Sequence, residues 1–162
     1  MTATMKFAGF SLVCLWLLGS ACVPAANLYQ GNPVASDHVM PLQSGGPHGG
    51  DFENFDLVMN YQFTRDGDVF EISGRAELGQ HYQMVFDKIN DLRIYLFFVD
   101  ADSRVLQTVM LTSAATGMTS QQLRFSRFFK VPRGATGFSF GYEGKVSEMD
   151  SSKVFYQLPL RR

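Results

Sequence analysis

The stretch LVMNYQFTRDGDVFEISGRAEL, from Leu57 to Leu78, decides the fold class. Leu57, Met59, Tyr61 and Phe63 recur at every second position, with Asn60 and Gln62 between them. A strand with one buried face requires that period of two. Arg65-Asp66-Gly67-Asp68 supplies turn residues. Beyond it Phe70, Ile72, Gly74, Ala76 and Leu78 point one way, and Glu71, Ser73, Arg75 and Glu77 the other. The two segments read as a hairpin with one dry and one wet face.

The pattern continues toward the C-terminus. Leu92 to Val99 is apolar on both faces from Tyr95 onward, which fits a central strand covered on both sides. Asp100-Ala101-Asp102-Ser103-Arg104 turns the chain into a strand from Val105 to Leu111, since aspartate carboxylates bond nearby backbone amides. Leu123 to Val131 and Phe138 to Val146 read as a pair joined through Pro132-Arg133-Gly134-Ala135, and Val154 to Leu158 as a last strand. Tyr82, Val85, Phe86 and Ile89 recur at helical spacing within Gln80 to Asp91, which predicts a short helix. A strand with Tyr82, Met84 and Phe86 on one face competes with it. Seven strands and one helical crossing predict an all-β fold, an antiparallel two-sheet β-sandwich. A closed barrel, which also removes edges, is the alternative.

Upstream the composition changes. Residues 22–50 are rich in Pro, Gly, Asn and Ser and end in Gly45-Gly46-Pro47-His48-Gly49-Gly50, which reads as a flexible tether before a domain at 51–162. Residues 1–21 read as a secretory signal: Lys6 precedes an apolar run, Phe7 to Leu18, that is too short to span a bilayer, which needs about 20 such residues. Leu17-Leu18-Gly19-Ser20-Ala21-Cys22 resembles the lipobox of bacterial lipoproteins, with Gly19 where that motif carries leucine. The resemblance implies acylation of Cys22 and a membrane-anchored envelope protein, and Val23 after the cysteine implies sorting to the outer membrane. Cleavage after Ala21 or Ala25 by an ordinary signal peptidase would instead leave a secreted protein.

Processing before Cys22 would remove Cys14 and the single tryptophan, Trp16, and leave a chain with no disulfide of its own. Such a domain must hold together by apolar burial. Fifteen phenylalanines are present and only Phe7 and Phe10 fall in the signal, so the rings are natural core. With 14 basic and 15 acidic residues there is no electrostatic footprint for nucleic acid.

Leu92-Arg93-Ile94-Tyr95-Leu96-Phe97-Phe98-Val99-Asp100-Ala101-Asp102, with Val105-Leu106 and Val131-Pro132-Arg133-Gly134-Ala135, resembles immunoglobulin-like accessory modules of bacterial envelope proteins. That resemblance implies an immunoglobulin-like sandwich without the Cys-Trp-Cys pattern of true immunoglobulin domains.

Chemistry is sparse along the chain. His81 is the one histidine within the strand-bearing region, and no Gly-x-Ser-x-Gly elbow exists to give it a nucleophile. Asp66 with Asp68, and Asp100 with Asp102, could grip calcium, but both pairs sit in turns and the EF-hand spacing is absent. His38 and His48 lie far from His81, so no zinc cluster forms by spacing. The glycine-rich segment has no lysine and opens no helix, so it is no phosphate loop. Sugar-stacking platforms lean on Trp and Tyr, which argues against a carbohydrate module of that kind. By strict alternation Phe128 shares a face with Arg124, Ser126 and Lys130, and Phe155 stands beside Gln157. Both are candidate partner-surface residues, unless a bulge between Phe128 and Phe129 hides the ring. The expectation is a non-enzymatic, lipid-anchored binding or structural accessory module with no catalytic residues, metal or cofactor, contacting the membrane through its anchor and an envelope protein partner. A carrier with a Phe- and Met-lined pocket between the sheets, and a secreted hydrolase, are the alternatives.

Overall fold

The structure is a computed structural model, and it describes residues 28–161. The expected signal 1–21, the expected lipidation site Cys22 and the first residues of the expected tether lie outside the described residues.

The chain is an antiparallel two-sheet β-sandwich with one short helix. Its elements run β1 (Met40–Pro41), β2 (Gly45–Glu53), β3 (Leu57–Asp66), β4 (Val69–Leu78), α1 (Gln80–Val85), β5 (Lys88–Val99), β6 (Val105–Ala114), β7 (Gly117–Met118), β8 (Leu123–Lys130), β9 (Gly137–Glu148) and β10 (Ser151–Gln157). The first sheet has the order β1-β9-β5-β6, with β10 also on β9 and β7 also on β5; the second has the order β2-β3-β4-β8.

The Leu57–Leu78 hairpin forms as its alternation predicts. Leu57 pairs with Leu78 and Asp66 with Val69, without a shift in register, and Gly67 takes the left-handed conformation at the turn with φ of 58°. Leu57, Met59, Phe63, Phe70, Ile72, Ala76 and Leu78 are buried. Across the gap they meet Leu92, Ile94, Leu96 and Phe98 of β5 and Phe138, Phe140 and Tyr142 of β9. Phe70 sits at the centre, with ring centroids 5.3 Å from Phe63, 5.6 Å from Phe98 and 5.4 Å from Phe138. Rings at tilted or edge-on angles of this kind add about 0.5–1.5 kcal/mol per pair beyond their burial. The space between the sheets is thus filled by side chains.

Strand β5 is covered on both faces, as its apolar run requires. Phe97 and Val99 turn away from the main core into a second cluster with Val34 and Val105, packed by Tyr29, Val39, Leu158 and Leu160. The two ends of the described segment build this cover: Gly31 N donates to Val105 O, Val34 N to Ser103 O and Ala35 N to Pro159 O, while Arg161 N donates to Pro33 O.

That packing corrects the tether expected over 22–50. From Leu28 onward the segment is part of the domain: Val34 is fully buried, Leu42 is buried, and Met40–Pro41 pairs with β9. The glycine-rich run is strand β2, with His48 opposite Phe63 and Gly50 opposite Tyr61. Glycine is needed at Gly49, where a Cβ would come within 2.7 Å of the Tyr61 carbonyl oxygen. Pro47 falls where the register shifts between Gly45 and His48. A proline and an irregularity are tolerated there because β2 is an edge strand, and both discourage pairing with another chain.

Two further corrections concern connections, and one open alternative at Phe128 is decided by register. Leu123 to Val131 and Phe138 to Val146 are not a pair: β8 adds to β4, β9 adds to β5, and the Pro132–Ala135 corner carries the chain from one sheet to the other. The helix ends at Val85, leaving Val85 53% exposed, and Ile89 belongs to β5. No register shift occurs between Phe128 and Phe129, so no bulge hides Phe128.

Candidate functional site

The outer face of the second sheet carries the side chains that the hairpin alternation turned away from the core. Register assembles them into rows. Asp51 stands opposite Asn60, Asn60 opposite Arg75, and Arg75 opposite Arg124, one residue from each of the four strands. The next row brings Gln62, Ser73 and Ser126 together. Asn60, Gln62, Ser73, Arg75 and Arg124 line a groove of about 550 Å³ on this face. A second depression of about 360 Å³ shares Gln62 and Ser73 and extends toward Pro47, Thr64 and Glu71.

Hydrogen bonds fix the groove's floor. Asn60 Nδ2 donates to Asp51 Oδ1, which leaves its Oδ1 to accept from Arg75 Nε at 3.3 Å. Gln62 Nε2 donates to Ser73 Oγ at 3.4 Å. Arg75 therefore has an aimed guanidinium, with its remaining N–H groups free for a ligand. Among the described residues no ion pair includes Arg75 or Arg124. Like charges directly opposite on adjacent strands repel, so the arginine pair is a local concentration of positive charge on a face that also carries Asp51, Glu71 and Glu77.

Phe128 lies on the same face, opposite Glu71 and 67% exposed. Phe155, the other candidate for a partner surface, does not: it is 4% exposed and packs between Tyr82 at 4.8 Å and Tyr142 at 6.1 Å. Its burial depends on Gly144, the residue opposite in β9, where a Cβ would meet the Phe155 ring at 2.5 Å.

The remaining candidates are separate from the groove and from one another. Asp100 is spent on its own turn, its Oδ1 accepting from the amides of Asp102 and Arg104 at 3.0 and 2.8 Å. Asp68 pairs with Lys130 at 3.5 Å. His48 lies against the Phe63 ring on β2, His38 is exposed beside Asp37, and His81 on α1 stacks on Phe55 at 4.0 Å with a buried Nε2 that has no partner. Among the described residues no three His, Cys, Asp or Glu side chains gather to hold a metal, and no helix is long and apolar enough to cross a membrane.

A polar knot that sequence reasoning missed closes one end of the sandwich. Asp56, between β2 and β3, accepts from the Tyr82 hydroxyl at 2.8 Å and from the Tyr142 hydroxyl at 3.0 Å; Asn54 joins through Gln157. Burial first, and Asp56 second, push the ionisation of both tyrosines well above the ordinary range. Both hydroxyls keep their protons and serve as donors to one carboxylate, a latch between α1, β9 and the β2–β3 turn. On the outer face of the first sheet Tyr95 donates to Glu143 at 2.7 Å, and burial, with Glu143 beside it, pushes its pKa up to about 12.

No family model, curated protein or solved structure matches the chain.

Proposed function

We propose that the chain is a non-enzymatic, lipid-anchored envelope protein that acts by binding, and that the outer face of the second sheet is its binding face. The observation that carries the reading is the arginine pair. Arg75 and Arg124 are held side by side without a carboxylate partner, at a cost in repulsion that a bound anion relieves. The polar side chains around them converge on one open groove, the arrangement expected of a recognition site. The ring-filled interface between the sheets favours surface recognition over an enclosed apolar ligand.

Anchoring rests on the Ala21-Cys22 junction and the apolar run before it. Two or three acyl chains on Cys22 would hold the domain at a membrane without a transmembrane helix, since each buried methylene contributes about 0.8 kcal/mol.

Cell fractionation of Cys22→Ser tests the anchor: the variant is expected in the soluble fraction, and unchanged membrane association overturns this half of the reading. For the binding half, the full-length chain and its Arg75→Gln/Arg124→Gln variant are compared in capture from envelope extracts. The expected result is loss of the captured material with the double variant. Equal capture by both proteins moves the binding face elsewhere.

A further inference from the structure

The groove's chemistry narrows its ligand, on the reading that this face is the binding face. Strand β4, which carries Ser73 and Arg75, is paired on both sides, to β3 and to β8. Its backbone N–H and C=O groups are consumed in the ladders, so an extended peptide cannot add as a strand along β4, the usual way a β-protein grips a peptide backbone; the sheet's edge on this side is β8. Contacts in the groove must come from side chains. Those present are amides and a hydroxyl, Asn60, Gln62 and Ser73, which exchange hydrogen bonds with hydroxyl groups, and two guanidiniums, which match carboxylates in a planar, bidentate fashion. None of the groove's lining residues is acidic. An exposed ring, Phe128, stands further along β8 on the same face.

We propose that the groove binds an acidic oligosaccharide, its uronate carboxylates on Arg75 and Arg124 and its sugar hydroxyls on Asn60, Gln62 and Ser73. Charge complementarity selects the ligand: two arginines that no carboxylate among the described residues bridges, in a groove without an acidic lining residue, take an anion, and the amide-hydroxyl surroundings take a polyhydroxylated one. Recognition by guanidinium and amide groups needs no tryptophan platform, in keeping with the loss of Trp16 in the expected signal. Electrostatic attraction on an open face is screened by salt over a Debye length of about 8 Å at physiological ionic strength, so the affinity depends on ionic strength.

Isothermal titration of the full-length chain in detergent with hexagalacturonate, maltohexaose, hexaglutamate and anionic phospholipid vesicles tests the proposal. Hexagalacturonate is expected to bind at least about tenfold more tightly than the other three, and to weaken by at least about tenfold in Arg75→Gln/Arg124→Gln and on raising the salt; a factor of ten corresponds to about 1.4 kcal/mol. Binding of maltohexaose, hexaglutamate or vesicles as tight as that of hexagalacturonate overturns the proposal, and so does unchanged affinity in the double variant. Both replaced side chains are exposed, so a melting temperature no lower than that of the parent confirms that the variant folds. Should hexagalacturonate fail while the double variant still loses envelope capture, the glycan assignment falls and the binding face stands.

Discussion

Arg75 and Arg124 stand directly opposite each other on adjacent antiparallel strands, both on the solvent face, and neither belongs to any ion pair among the described residues. A sequence selected for stability alone would place opposite charges at such a pair.

Arg124→Glu converts the repulsion into an attraction with Arg75. Cross-strand charge pairs contribute about 0.2–1 kcal/mol, so the variant is expected to be more stable than the parent by about that amount in urea melts. It should lose any anionic ligand of the groove at the same time. A variant less stable than the parent would mean that the arginines do not repel in the fold.

The latch at Asp56 predicts an alkaline limit. In an unfolded chain tyrosines ionise near 10.0, whereas burial and Asp56 hold Tyr82 and Tyr142 protonated above that value in the fold, and burial holds Tyr95 so up to about 12. Above the unfolded value the unfolded chain binds fewer protons than the native one, so stability falls as pH rises. The contribution is fully present below about pH 10 and is lost progressively above it. Urea midpoints should be flat from about pH 8 to 9 and fall beyond about pH 10, with a shallower fall in Tyr142→Phe. Equal slopes in parent and variant would remove Tyr142 from this account.

Phe155 and Phe128 should behave oppositely. Phe155→Ala empties a ring site between Tyr82 and Tyr142 and is expected to cost about 3–5 kcal/mol. Phe128→Ala, on the exposed face, should change stability by no more than about 0.5 kcal/mol. Equal effects in denaturant melts would contradict the alternation of β8 and β10.

The N-terminal strap is expected to be essential. A chain starting at residue 51 loses β1, most of β2, and the buried Val34 and Leu42, and exposes Phe97 and Val99. It should expose apolar surface to a fluorescent probe and be degraded rapidly by trypsin. A chain starting at residue 28 should resist. Equal resistance of the two would return the strap to the role of a linker.

How much of this was legible in the residues depends on where the folding information sits. The Leu57–Leu78 hairpin could be read because its burial follows a local period of two, and the double cover of β5 because an apolar run has no wet face to offer. β2 could not. Its Gly-Pro-Gly sequence carries no period, and it is a strand because β3 offers it a ladder and its own glycines allow close approach. The Pro132–Ala135 corner looks like a hairpin turn, and only the packing of two sheets makes it a crossover. Phe155 is buried because of Gly144, a residue on another strand. The alternation put Arg75 on a wet face and Arg124 on the face of Phe128, but nothing local said that these two faces were one; register between β4 and β8 decides it. The Asp56 knot is equally non-local, joining residues from a turn, the helix and β9.

The strap over Phe97 and Val99 also fixes a geometry. It lies against the first sheet, on the opposite side of the sandwich from the arginine groove. Only five residues separate Cys22 from Leu28, and the six residue steps between them stretch to roughly 20 Å at most. A lipid on that cysteine would be a short leash, joined to the body on the side away from the arginine groove, which would favour the first sheet next to the bilayer and the groove toward the aqueous compartment.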